Sequence, residues 1–126
     1  MGAGVPCARW GEAPAPGHYR DGERVLFSGR LGSQHVRVWL EQRPGGIALL
    51  SHDIGPALER SFGKDEIETF LEVDAADFSA LAAAVGARSG DPMALLTSRF
   101  RGNSAATSEL RRLIEEHGVP HRFAIV

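Results

Sequence analysis

With 126 residues, 43% of them hydrophobic and 24% charged, the chain fits one globular domain and leaves no room for two of ordinary size. A domain this long buries enough surface to fold without disulfides or metal, and Cys7, the only cysteine, excludes an internal disulfide. The longest apolar runs, residues 47–50 and 81–85, are far too short to cross a bilayer, so no membrane association is expected.

No basic start followed by an apolar core appears near Met1, and the single cysteine suits a reducing compartment, so a cytoplasmic location is expected. Arginine outnumbers lysine thirteen to one, Lys64 being the one lysine, a bias expected of a GC-rich bacterial genome.

The net charge of −2 hides an uneven distribution. Residues 52–77 hold eight acids against Arg60 and Lys64, a local charge of −6, whereas each flank carries +2. An acidic block repels phosphate backbones and attracts basic partners, so a protein partner is expected and nucleic acid is not. A solvated face that keeps the protein soluble is the competing explanation.

Residues 1–22 are rich in Gly, Ala and Pro, with Pro6, Pro14 and Pro16 interrupting any helix or ladder. They read as a flexible arm, with Trp10 and Tyr19 available to pin it to a single domain at 23–126. Next comes an antiparallel meander. Residues 24–30 alternate, with Val25 and Phe27 on one side. Gly32-Ser33 marks a turn. Residues 34–42 place Val36, Val38 and Leu40 on one face and Arg37, Trp39 and Glu41 on the other. Pro44-Gly45-Gly46 turns into a mostly apolar strand at 47–51, and connections this short force antiparallel pairing.

Asp53 is expected to cap a short helical turn through Phe62, ended by Gly63. Residues 66–73 alternate strictly, with Ile67, Thr69, Leu71 and Val73 on one face and Glu66, Glu68, Phe70 and Glu72 on the other. Three helices follow. Asp74 caps a helix to Val85 with Gly86 closing it, and Asp91-Pro92 opens one through Phe100. Ser104 caps a third that stops at Gly118, with Leu110, Leu113 and Ile114 as its buried stripe. Residues 122–126 form a closing strand. The fold class is therefore α+β: an antiparallel meander of four or five strands with about three helices packed on one face.

No complete catalytic or metal-binding motif is present. Of His18, His35, His52, His117 and His121, the last two are four apart, but Gly118 and Pro120 between them remove the helix that would align them. No metal or other cofactor is expected. His52-Asp53 could act as a general base with an orienting carboxylate, although a strand end followed by a helix cap explains it as well. No serine sits in a nucleophile elbow, Cys7 has no neighbouring histidine, and Gly63-Lys64 is followed by Asp65 and not by the hydroxyl a phosphate loop needs. No catalytic residues are assigned.

The acidic strand is the strongest constellation. Three carboxylates two residues apart repel one another, and an isolated sheet face gains nothing from that. With Asp65 adjoining them and Asp53 and Glu59 nearby, they make a surface that speeds association with a basic partner, and Phe70 supplies an apolar anchor. The partner-binding set is thus Asp53, Glu59, Asp65, Glu66, Glu68, Phe70 and Glu72. Neutralisation by Arg37 or another neighbouring arginine is the structural alternative.

Two stretches, SHDIGPALERSFGKDEIETFLEV at 51–73 and FRGNSAATSELRRLIEEHGVPHRF at 100–123, resemble a group of small uncharacterised bacterial α+β proteins. The similarity spans roughly 24–126. It implies an immunity protein of a polymorphic or contact-dependent toxin system, and it transfers no catalytic residue. The expected function is a non-enzymatic, protein-binding inhibitor that covers the active site of a basic nuclease or deaminase toxin. Alternatives are a small hydrolase-like enzyme using His52 and Asp53, or a regulatory docking subunit.

Overall fold

The computed structural model describes residues 22–126 apart from Ser89, so the arm at 1–22, with Trp10 and Tyr19, lies outside the described residues except for Gly22. Five antiparallel strands form one sheet in chain order: β1 (Glu23–Leu31), β2 (Gln34–Arg43), β3 (Gly46–Ile54), β4 (Glu66–Asp74) and β5 (Arg122–Ile125). Between β3 and β4 lies a single helical turn, α1 (Leu58–Phe62), and after β4 come a 3-10 turn (Ala75–Asp77) and helices α2 (Phe78–Ala84), α3 (Pro92–Phe100) and α4 (Ala106–Glu116). This is the α+β meander that the alternation and turn chemistry demand.

Short connections set the register. The β2–β3 turn delivers Gly46 opposite Asp74, where a Cβ would collide with the Val73 carbonyl, so only glycine allows β3 to approach β4 there. Gly63 ends α1 with φ 75°, a left-handed cap, and its N–H donates to the Glu59 carbonyl. Asp91 caps α3 by accepting from the Ala94 N–H at 3.2 Å, and Pro92 follows at the first helical position.

Four expectations fail locally, the first being that Asp74 makes no side-chain cap and the α-helix it was expected to open begins only at Phe78, after a 3-10 turn. Asp53 does not cap a helix: β3 runs three residues further than its apolar stretch, and α1 begins after Ala57 with no side-chain cap. Ser104 is not the cap of α4 either; Asn103 Oδ1 accepts from the Ala105 N–H at 2.8 Å instead. Finally, Val25 and Phe27 do not share a face. The β1–β2 register shifts between them, and this bulge turns Leu26 into the core at 4% exposure.

The helices pack on one face. Val36, Val38 and Leu40 of β2, Ile47 and Leu49 of β3, and Leu71 and Val73 of β4 meet Leu81, Leu96, Phe100, Leu110 and Ile114 in one buried cluster. Each such side chain contributes about 1.5–3 kcal/mol of burial, which holds short helices that would not persist alone. On the opposite face Trp39, Ala48 and Leu50 are buried in a second cluster, with Val25 and Phe70 packed against it.

Candidate functional site

Pairing aligns the sheet residues in rows, and the rows decide which acids meet. On the face away from the helices an apolar row, Val25, Trp39, Leu50, Phe70 and Ala124, crosses all five strands. Polar rows flank it. One runs through Glu23, Glu41, Ala48, Glu72 and Arg122, the other through Ser28, Arg37, His52 and Glu68. Glu23, Glu41, Arg37, His52 and Glu68 are all buried, so much of the charge on this face is not displayed to solvent. Trp39 Nε1 donates to Glu41 Oε2 at 3.1 Å, and the Arg37 guanidinium stands 5.6 Å from the Trp39 ring centre.

The acids of β4 therefore separate. Glu72 is held by Arg43 and, at 3.1 Å, by Arg122, the neutralisation by neighbouring arginines weighed above, although Arg37 is not one of them. Arg122 also grips both oxygens of Asp74, at 3.0 and 3.2 Å, and this pairing holds the Asp74 carboxyl below its ordinary value. Glu66 is exposed, with Oε2 at 2.5 Å from Nε2 of the fully buried His52. Glu68 is only 8% exposed, against the expectation that the whole strand face is open, and its Oε2 has no hydrogen-bond partner among the described residues. A hollow of about 280 Å³ opens beside it, lined by Lys64, Asp65, Glu66, Glu68 and Val126. Glu59 lies exposed on α1, which packs beside β4.

Of the residues grouped from the sequence, Asp65, Glu66 and Glu68 converge on the hollow, whereas Phe70 and Glu72 continue along the same face. Asp53 does not join them. It pairs with Ile67 and Val36 in a row that faces the helices, so the general-base pair His52–Asp53 is not formed. Full burial of His52 also keeps its imidazole out of reach of a substrate.

Asp53 instead lines a cleft of about 410 Å³ between the sheet and α4. Ser51 and Thr69 line it from the sheet, and Thr107, Ser108 and Arg111 from the helix. Burial pushes the Asp53 carboxyl above its ordinary value, an effect the nearby His52 partly offsets. None of the helix residues was singled out from the sequence. The available signal was subtle: Ser51 and Thr69 occupy positions where the alternation of β3 and β4 calls for apolar side chains.

His117 and His121 serve local structure. His117 Nδ1 lies 2.9 Å from the Leu113 carbonyl oxygen, and His121 Nδ1 lies 2.9 Å from that of Val119. Among the described residues no three His, Cys, Asp or Glu side chains converge in a metal-binding geometry. No helix among them is long and apolar enough to cross a membrane. Comparison of the chain with protein-family models, with curated proteins and with solved structures finds no match.

Proposed function

We propose that this chain is a protein-binding inhibitor, an immunity protein that neutralises a basic bacterial nuclease or deaminase toxin by covering its active site. The observation that supports this reading is the Glu68 carboxylate. It is nine-tenths buried, one of its oxygens has no partner among the described residues, and it adjoins a hollow also lined by Asp65 and Glu66. A buried acceptor without a donor is unfavourable by about 1–3 kcal/mol, and an incoming guanidinium or ammonium would satisfy it. The hollow has the dimensions for one such side chain, and the exposed acids Glu59, Asp65 and Glu66 would steer the approach of a basic domain.

The binding surface is accordingly narrower than the full acidic strand. Glu72 is already committed to two arginines and Asp53 lies on the other face, so neither belongs to it. The resemblance of residues 51–73 and 100–123 to small bacterial proteins agrees with an immunity role. The test is protection in a bacterial host. The chain is co-expressed with the toxin domain encoded beside its own gene, and survival is compared with and without Glu59→Lys/Asp65→Lys, which reverses only exposed acids. Rescue by the parent chain and its loss in the variant are expected. Absence of an adjoining toxin gene, or equal rescue by both, would sink the idea.

A further inference from the structure

A second site is built into the other side of the sheet. The geometry points to the cleft between β3, β4 and α4 as a binding site for a neutral, hydroxyl-rich small molecule of about monosaccharide size. This site shares no residue with the proposed inhibitory surface and stands independently of it.

The cleft exists because the core pattern breaks. Along the helix-facing side β3 reads Ile47, Leu49, Ser51, Asp53, and β4 reads Val73, Leu71, Thr69, Ile67. Ser51 pairs directly with Thr69, so two short hydroxyl side chains replace the leucines that fill the neighbouring row. Interiors are normally packed without such gaps, and the 410 Å³ left here falls within the range of ligand sites.

Polar groups converge from both walls, as a specific site requires. Thr107 lies in the lining, and its Oγ1 is buried with no hydrogen-bond partner among the described residues. Asp53 contributes a carboxyl that burial makes easier to protonate, so it can accept from two adjacent hydroxyls or donate to one. Ser51 and Thr69 add hydroxyls that donate and accept alike, and Ser108, whose hydroxyl donates to the Ala105 carbonyl at 3.1 Å, adds an acceptor.

Charge selects the ligand class. Arg111 Nε donates to Glu115 Oε2 at 3.0 Å and its guanidinium lies 3.7 Å over the Phe123 ring, while Arg112 donates to Glu116 at 3.3 Å. Each arginine already has a carboxylate partner, and Asp53 and Glu115 both line the wall, so a phosphate or carboxylate meets repulsion there. An apolar ligand would strand the hydroxyls. A polyol meets neither obstacle.

The experiment is an amide NMR titration of the full chain with D-ribose, D-glucose and D-galactose, with inorganic phosphate as a separate arm. Saturable shifts at Ser51, Asp53, Thr69, Thr107 and Ser108 are expected for at least one sugar, with Asp53→Ala weakening it about tenfold or more. Should Asp53→Ala fail to fold, Thr107→Val serves, with a smaller but measurable loss. The inference is overturned if no sugar saturates by roughly 100 mM, if both variants bind as the parent does, or if phosphate alone binds.

Discussion

His52 and Asp53 are neighbours in β3 that project from opposite faces of the sheet. His52 meets Glu66 at 2.5 Å on the helix-free side, while Asp53 lines the cleft under α4. Because burial raises the folded-state value for Asp53, the folded chain holds that proton to higher pH than the unfolded chain does. Its contribution therefore favours folding in acid and declines as pH rises from 3.8 through the folded value. Asp53→Asn removes that decline. The variant should melt about 1–3 °C above the parent at pH 7, with the gap closing below about pH 4. A variant that melts below the parent at pH 7 contradicts this account.

The buried imidazole of His52 should matter more to stability than its exposed partner. His52 has no solvent exposure, so His52→Ala leaves a void and strips Glu66 of its contact. A loss of about 2–4 kcal/mol is expected in urea denaturation. Glu66→Gln keeps an acceptor at a half-exposed position and should lose about 1 kcal/mol or less. Equal losses in the two variants would mean that the contact with Glu66, and not the burial, stabilises this row.

Much of the architecture was legible because period-2 alternation and turn residues are local signals. Gly32-Ser33 and Pro44-Gly45-Gly46 mark two hairpins, and Ile67 to Val73 assigns the faces of β4 unaided. The bulge at Leu26 was not legible, since one extra residue leaves no mark on composition and only the partner strand reveals it. Nor was the end of β3: Asp53 with Pro56 three residues on reads as a helix cap, but pairing with Ile67 keeps the residue in the ladder. For the site, alternation correctly put Glu66, Glu68, Phe70 and Glu72 on one face. It could not tell which acids would be paired, because Arg43 and Arg122 reach Glu72 from 29 and 50 residues away.

Those arginines make β5 dependent on charge. The strand is four residues long and lies at the sheet edge, with Arg122 tying it to Glu72 and Asp74 of β4. The Asp74 carboxyl is held low by Arg122, so its contribution is present above 3.8 and lost as pH falls through the lower folded value. Protection of the Ala124 and Val126 amides, which point to β4 (Val126 N–H donates to the Glu68 carbonyl), should fall in Arg122→Ala, and in the parent on acidification below about pH 3.8 once the intrinsic slowing of exchange in acid is allowed for. Asp74→Asn should flatten that acid response. Unchanged exchange in Arg122→Ala would show that backbone pairing alone secures the edge.

The inhibitory reading makes a prediction that separates the acids of β4 from one another. Reversing Glu66, Glu68 and Glu72 together would not be a clean test, because Glu68→Lys buries a cation beside His52 and Glu72→Lys confronts Arg43 and Arg122. Each is expected to lower stability by about 1–3 kcal/mol before binding is considered. Glu59 and Asp65 are exposed, so their reversal should leave the melting temperature nearly unchanged, whereas Glu66→Lys removes the partner of His52 and should lower it. Binding to a basic toxin domain should respond in two distinct ways. Reversal of Glu59 acts at long range and should slow association, most strongly at low salt, since exposed charges are screened beyond about 8 Å at physiological ionic strength. Glu68→Gln preserves size but discharges the floor of the hollow, and it should instead speed dissociation, weakening the complex by about 2–5 kcal/mol if a cation is seated there. Surface plasmon resonance at two salt concentrations resolves the two effects. A Glu68→Gln variant that releases the toxin at the parent rate would mean that nothing enters the hollow, and that the acids at 59, 65 and 66 are only a solvated face.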